Sequence, residues 1–529
     1  MDKENCRAKD NNVECREWDN RLKTRVKGNT KSNLKMALQS DHHNQNPHAI
    51  FIPYPLQGHV IPSVHLATHL AARGFTLTFI NTHAIHHQTS TAHSTPLDDL
   101  FSGVRNSGLD IRYTTVSDGL PLGFDRSLNH DQFMGSLLHV FSAHVEEEVE
   151  KIVKTASSGG AAPVSCLIAD TFFVWPSKVA KKFNLLYVSF WTEPALVFSL
   201  YYHLNLLRKN RHFECRDVRR DAIDYIPGVP PINPQDTMSY LQETDTTSVC
   251  HQIIFAAFHD VKAADFVLCN TVQELENDTV SALQAQIPFY AIGPIFPRGF
   301  TKSSVATSLW PESDCTHWLN TKPHGSVLYV SFGSYAHVSK TDLAEIAHGL
   351  SLSGVHFIWV IRPDIVSSND TDPLPVGYRK EVGERSMIVT WCRQNQVLAH
   401  PAIGGFLCHC GWNSILESIW CNVPLLCFPL LTDQFTNRKL VVEDWTVGIN
   451  LRDGRQMISK EKVSEKINRL MDLKSGSQYR TAVREVRKTL EDAVKPNGSS
   501  DKAMNRFINH LNAAVSNKCG RRNTRARGF

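Results

Sequence analysis

The chain has 529 residues, 42% hydrophobic and 20% charged, which suits a globular protein and is too long for a single core. Its formal charge of +4 sits at the ends: residues 1–46 hold ten Lys/Arg against seven Asp/Glu, and residues 514–529 add five basic residues and no acid, leaving residues 47–513 at −4. A basic footprint for nucleic acid on the folded body is therefore excluded, and no run of about 20 apolar residues is present to form a membrane span.

Residues 1–46 are polar, mixed in charge and aperiodic, and read as a disordered extension. The opening MDKENCRAKDNNVECREWDN lacks the apolar run of a secretory signal. A start at Met36 would leave a short leader before the first strand, so residues 1–35 are expected to be dispensable or to come from an upstream start choice. The 13 cysteines follow no regular framework; without an export signal they are expected to be reduced thiols in the cytoplasm. The N-x-S/T triplets at Asn277, Asn369 and Asn497 are then idle.

Regular structure begins at HAIFIPYP (48–55), a buried type of strand. The turn LQGH leads into the helix-period run VIPSVHLATHLAARG, with Gly74 as its stop, and FTLTFINT (75–82) is the next strand. This is a β-α-β unit opening a parallel sheet. Further strands are predicted at VSCLIAD (164–170), LLYVSF (185–190) and FVLCNT (266–271), with a helix through FMGSLLHVFSAHVEEEVEKIVK. Residues 293–324, rich in Pro, Ser and Thr, read as a linker between an N-terminal domain at 47–292 and a C-terminal domain at 325–513. The alternation then restarts with SVLYVSF, a helix through DLAEIAHGLSLSG, HFIWVIR, MIVTWC, IGGFLCHC and PLLCFPL. The expected fold class is α/β, two Rossmann-like domains facing across a cleft, closed by a helix at SDKAMNRFINHLNAA and a basic tail at 514–529.

The block Trp391–Gln434, WCRQNQVLAHPAIGGFLCHCGWNSILESIWCNVPLLCFPLLTDQ, carries most of the chemistry. IGGFLCHC should end at a crevice, because ligands of open parallel sheets bind at the carboxyl ends of the strands. Gly411 and Trp412 form the connection to a helix beginning near Asn413-Ser414, two good N-cap residues that can also donate to phosphate oxygens. Free N–H groups and the positive end of the helix dipole suit a pyrophosphate there, although an ordinary capped helix would carry the same turn. Glu417 lies on the same helix face, within reach of a ribose diol. Trp391 follows a strand and can stack on uracil; Gln394 can reach the ribose, and Cys392 would act through its main chain. Asp433 and Gln434 follow another strand end and are placed to read sugar hydroxyls.

This block resembles the donor-binding signature of plant secondary-product UDP-glycosyltransferases, whose fold is GT-B, and the resemblance extends over nearly all of residues 47–513. It implies that His409 and Ser334, the latter in the SFGS turn after SVLYVSF, contact phosphate. In that family Trp at position 412 and Gln at the last position accompany UDP-glucose as donor. Cys392-Arg393 stands where Ala-Pro is frequent, and Leu407-Cys408 where Val-Thr is.

The first βα turn, Pro55 to Pro62, has the pattern P-x-x-G-H-x-x-P and sets His59 at a helix N-terminus facing the cleft. Position and resemblance together make His59 the candidate general base. Asp170 ends the strand VSCLIAD; it could simply cap the next helix, whereas the resemblance implies that it orients His59, as a carboxylate fixes a tautomer in a catalytic triad. The resulting reading is an inverting, metal-independent transfer of a hexose, glucose foremost, from a UDP-sugar to a hydroxyl or carboxyl of a small lipophilic acceptor, with no cofactor. The alternative is a catalytically silent nucleotide-sugar binder; a nicotinamide oxidoreductase is remote because the first turn lacks G-x-G-x-x-G.

The acceptor, of phenolic, flavonoid, terpenoid or hormone class, is expected against Phe124, Phe172, Phe173, Trp175, Phe190, Trp191 and Glu193, though any of these can instead be core. The resemblance also implies a monomer. Asp370-Thr371-Asp372 has a metal-binding spacing but reads as a solvated turn. His83, His86, His87 and His93 lack the spacing of a zinc site, and Cys408-His409-Cys410 should alternate across a strand, cysteines away from histidine.

Overall fold

The computed structural model describes residues 47–92, 99–158, 162–215, 218–297, 299–300, 307–366, 372–452 and 457–526. The readings on residues 1–46, His93, Asn369, Asp370 and Thr371 lie outside them.

Two parallel sheets carry the chain. The first contains β1 (His48–Ile52), β2 (Thr76–Thr82), β3 (Ile111–Val116), β4 (Val164–Asp170), β5 (Leu186–Trp191), β6 (Phe266–Cys269) and β7 (Phe289–Ala291), in the order β3-β2-β1-β4-β5-β6-β7. The second contains β8 (Val327–Ser331), β9 (His356–Val360), β10 (Ser386–Val389), β11 (Ile403–Cys408), β12 (Leu425–Cys427) and β13 (Gly448–Asn450), in the order β10-β9-β8-β11-β12-β13. Helices cover both faces, so the central strands are apolar on both sides: every residue of β1, β5, β8 and β11 is buried.

The interior strands lie where the apolar runs predict them. Three edge or outer strands were not predicted: β3, whose IRYTTV sequence is only half apolar because it has one neighbour, and the three-residue β7 and β13. The first predicted strand stops at Ile52, before the prolines at 53 and 55, and the long helix from Phe133 divides at Val140 into His130–His139 and Phe141–Ser158.

The last helix, Ser499–Ala526, returns to the first sheet and continues through the basic segment beyond residue 514. Ala503, Met504, Phe507 and Leu511, spaced at helical intervals, join the apolar cluster under β1, β2 and β6. The Phe507 ring lies edge-on to Phe266 at 5.7 Å and to Tyr290 at 5.8 Å, and Tyr290 Oη meets His510 Nδ1 at 2.6 Å. Another apolar cluster runs without a break from Trp191 and Phe258 in the first half to Trp412 and Ile415 in the second. Phe507 is fully buried, so Phe507→Ala should cost about 3–5 kcal/mol by cavity formation and lower the melting temperature by several degrees; an unchanged melting curve would show that the returning helix contributes nothing to the fold.

Candidate functional site

Each sheet reverses its strand order once, between β1 and β4 in the first and between β8 and β11 in the second. Loops leaving adjacent strands there diverge to opposite faces and open a crevice at the carboxyl ends. The two crevices meet in one cavity of about 720 Å³, lined from both halves. All the sequence-predicted catalytic and donor-site residues, Asp170 excepted, line it, and Asp170 stands directly behind His59.

His59 is the third residue of the helix Gln57–Ala71, which starts at the β1 end. Asp170 is the last residue of β4 and almost fully buried. Its two oxygens are divided: Oδ1 accepts the Phe172 N–H at 3.0 Å, and Oδ2 accepts His59 Nδ1–H at 2.7 Å. The residue thus braces the local turn and holds the imidazole; it does not cap the next helix, which starts only at Pro176 with Trp175 as its N-cap. A carboxylate only accepts, so the ring proton is fixed on Nδ1 and the lone pair on Nε2. Thr192 Oγ1, 3.0 Å from Nδ1, and the rings of Tyr54 and Phe172, at 5.5 and 5.7 Å, fence the imidazole in place.

On the opposite wall the helix Trp412–Trp420 begins one residue earlier than expected. Its N-cap is Gly411, and no side chain caps it. Asn413 and Ser414 are inside the helix: the Asn413 amide donates across the cleft to Gly58 O at 2.6 Å, and Ser414 Oγ accepts from Gln394 Nε2 at 3.1 Å. The first N–H groups of the helix are left open to the cavity, as anion binding requires. Trp412 turns its indole N–H to Asn270 O at 2.7 Å, fastening the turn to the first half.

The strand does not extend through Cys408-His409-Cys410. It ends at Cys408, and Cys410 takes a left-handed φ of 67°, with its N–H on Cys408 Sγ at 3.0 Å. That bend pushes the His409 ring between Gly333 and Gly411, where a Cβ on either glycine would lie 2.5 Å from Nε2. The Ser334 turn is held by a residue the sequence reading missed. Arg362, 1% exposed, donates to Gly333 O, to Ala336 O at 2.9 Å and to Asp364 Oδ1 at 3.0 Å.

The remaining donor-side groups are braced against one another. Gln394 Nε2 donates to Glu417 Oε2 at 2.8 Å. The Trp391 ring lies against Trp310 at 4.8 Å, tilted by 38°, an aromatic the sequence reading left in the linker. Cys392 lines the cavity as well, and its thiol lies beside Tyr329 Oη at 3.7 Å. Gln434 Oε1 accepts the Leu430 and Leu431 N–H groups at 2.9 and 3.1 Å, so only its NH₂ is left for a ligand. Asp433 accepts from Thr432 Oγ1 at 2.7 Å and Asn437 Nδ2 at 2.5 Å, each oxygen keeping a free lone pair.

Of the seven expected acceptor-wall residues only Phe172 and Glu193 line the cavity. Phe173, Trp175, Phe190 and Trp191 are core, because β5 and the turn after β4 are covered on both faces, and Phe124 lies off the cavity. Tyr54, Met134, Tyr201, Tyr240, Ile253 and Ile254 form the apolar wall instead, drawn from segments far apart in sequence. Asp372 pairs with Arg379 away from the cleft, and His83, His86 and His87 edge a small surface hollow with Leu122. Among the described residues no cluster of three His, Cys, Asp or Glu is placed to hold a metal ion, and no helix is long and apolar enough to cross a membrane.

Burial pushes the Glu417 carboxyl up to about 7, with Gln394 opposing and Cys408 adding slightly. Between its ordinary value of 4.5 and about 7 the folded protein retains a proton that the unfolded chain has released, so stability falls as pH rises through that window. Thermal melts at pH 5 and pH 8 should therefore show the native chain losing stability relative to Glu417→Gln; parallel shifts would refute the assignment.

Residues 121–492 match the family described as UDP-glucoronosyl and UDP-glucosyl transferase. The chain is 59% identical to UDP-glycosyltransferase 86A2 of Arabidopsis thaliana over 486 residues, 92% of this chain and 98% of that one, and 58% identical to UDP-glycosyltransferase 86A1 of the same plant, over 90% and 96%. Among solved structures, Medicago truncatula UGT71G1 complexed with UDP-glucose superposes with a TM-score of 0.72 at 26% identity, covering 88% of this chain and 98% of that one. Phytolacca americana UGT2 complexed with UDP-2fluoro-glucose and pterostilbene gives 0.70 at 26%, covering 88% and 99%. With its two facing parallel-sheet domains in the GT-B arrangement, the chain belongs to the UDP-glycosyltransferase family, enzymes that transfer a sugar from a UDP-sugar to an acceptor.

Proposed function

We propose that the protein transfers glucose from UDP-glucose to a hydroxyl, or a carboxyl, of a small lipophilic acceptor, with inversion and with His59 as general base. The observation that carries this reading is the His59–Asp170 pair at 2.7 Å, facing an uncapped helix terminus across one cavity.

The diphosphate lies at the N-terminus of Trp412–Trp420, near Ser334 and His409. Uracil stacks on Trp391, and the ribose meets Glu417 and Gln394. The hexose reaches Asp433 and the Gln434 NH₂. The acceptor oxygen, against Tyr54 and Phe172, gives its proton to His59 Nε2 as it attacks the anomeric carbon, and the bond to the diphosphate oxygen breaks on the far side. Charge growing on departing UDP is met by the open helix N–H groups, so no bound metal is needed. Attack opposite the leaving group turns an α-linked donor into a β-glycoside. Asp170 balances the imidazolium formed.

Glucose as the hexose rests on the Gln434 and Trp412 positions and on the UDP-glucose and fluorinated UDP-glucose found in the Medicago and Phytolacca structures. The apolar wall accords with the pterostilbene complexed in the latter. Ten free cysteines among the described residues accord with a reducing, cytoplasmic location.

The test offers UDP-glucose with a pool of phenolic and terpenoid alcohols, scored by mass spectrometry. A hexose adduct is expected. His59→Ala should lower turnover by about 10²–10⁴-fold while UDP binding, measured by calorimetry, is largely retained. Full activity in that variant would refute the base assignment. UDP-glucose binding without any adduct would instead favour the silent binder.

A further inference from the structure

We propose that the Glu193 carboxyl is a substrate-recognition group, exchanging hydrogen bonds with a hydroxyl or carbonyl oxygen of the molecule that fills the cleft. The proposal rests on the transferase reading above and adds a contact to it.

Glu193 lines the cavity together with His59, Thr192, Tyr201 and Asp433. Its backbone is held on both sides: Cys269 Sγ–H donates to Glu193 O at 3.4 Å, and the Trp191 indole N–H donates to the next carbonyl, Pro194 O, at 2.9 Å. The preceding residue, Thr192, touches His59 Nδ1. The backbone that carries the side chain is therefore held beside His59, and the carboxyl Oε2 is buried with no hydrogen-bond partner.

A structural duty for this carboxyl is hard to find. The helix Ala195–Tyr202 begins two residues on, after Pro194, but its first two N–H groups are taken by another acid. Glu276 accepts Ala195 N–H at 2.9 Å and Leu196 N–H at 2.7 Å. Among the described residues no Lys, Arg or His forms an ion pair with Glu193. An unpaired carboxyl oxygen out of water destabilises the protein that carries it; a substrate oxygen arriving at the cleft would supply the missing partner.

The form of the carboxyl follows from its surroundings. Burial, with the fields of Asp433 and Asp170 added, holds it well above the usual carboxylate range. A protonated acid offers one O–H donor and an acceptor, which suits a neutral hydroxyl or carbonyl. Two sources supply such a group. The hexose is one, because Asp433 reaches the same space from the second half. The acceptor is the other, because Tyr201 and Phe172 continue the apolar wall beside Glu193.

The experiment compares the full chain with Glu193→Met and Glu193→Gln, measuring melting temperature without ligand, KM for UDP-glucose and for the acceptor, and the Kd of UDP. Glu193→Met should melt at or above the native temperature, because an unpaired carboxyl is replaced by an apolar chain of similar length. One KM should nevertheless rise by roughly tenfold or more, with the Kd of UDP unchanged. Glu193→Gln, which keeps a neutral donor and acceptor, should stay within a few-fold of native. A raised KM for UDP-glucose assigns the contact to the hexose, and a raised KM for the acceptor assigns it there. Unchanged KM values in Glu193→Met overturn the proposal, whether or not the melting temperature falls. Gln as impaired as Met overturns it as well, since an ionised carboxylate would then be the working form. A native protein that transfers no hexose at all refutes the proposed function instead.

Discussion

The 2.7 Å contact between His59 and Asp170 exists only because β1 and β4 lie side by side. In chain order more than a hundred residues separate them, and two strands intervene in sequence but not in space. Reversal of strand order at this one place sends the loop after β1 and the end of β4 to the same crevice. The same constraint operates between β8 and β11, which bring the Ser334 turn and the His409–Gly411 turn together. Because the sheets face each other through these crevices, the His59–Asp170 pair and the uncapped terminus of Trp412–Trp420 meet at a single cavity. Trp412 and Asn413, bonded to Asn270 O and Gly58 O, fasten the two sides directly at that point.

The donor half is ordered before anything binds. Arg362 fixes the carbonyls of the Ser334 turn, Gln394 and Glu417 hold each other, and the Gln434 carbonyl is taken up by its own loop. Polar groups so constrained keep few free valences, and those point to the cavity: the helix N–H groups, the Gln434 NH₂ and the second lone pairs of Asp433. Preorganisation of this kind lowers the entropy lost when a ligand is gripped and stabilises charge without rearrangement. The acceptor side differs. There polar groups such as Gln57, His130, Thr192, Glu193 and Glu243 are set among Tyr54, Met134, Tyr201, Ile253 and Ile254, whose apolar surface binds by area and shape and discriminates weakly among similar molecules.

The contrast explains what was legible in the sequence. Buried parallel strands announce themselves as apolar runs, so the interior of both sheets could be read, and the residues closing those strands could be placed at the cleft. Signals that are local survived: His59 after β1, Asp170 at the end of β4, the turn before Trp412. The helix start was misplaced by a residue, because Asn413 and Ser414 look like caps while their side chains are used by Gly58 and Gln394. Arg362 and Trp310 were missed since their roles depend on partners distant in sequence. The acceptor wall was read from one aromatic-rich stretch, and most of that stretch is core; the wall is assembled from Tyr54, Met134, Tyr201, Tyr240 and Ile254, which share no motif. Edge strands such as β3 carry half the apolar signal of a central strand and went unseen.

The central claim is that Asp170 fixes the His59 proton on Nδ1 so that Nε2 can take one from the acceptor. Asp170→Asn isolates it. Oδ1 already accepts the Phe172 N–H, so the amide oxygen will stay there and the NH₂ will face Nδ1, forcing the proton to Nε2. Steady-state turnover of this variant should fall by about 10²–10⁴-fold, with the Kd of UDP and the melting temperature close to native. Turnover at the native level would contradict the account, because the geometry of the pair would then have no bearing on the reaction.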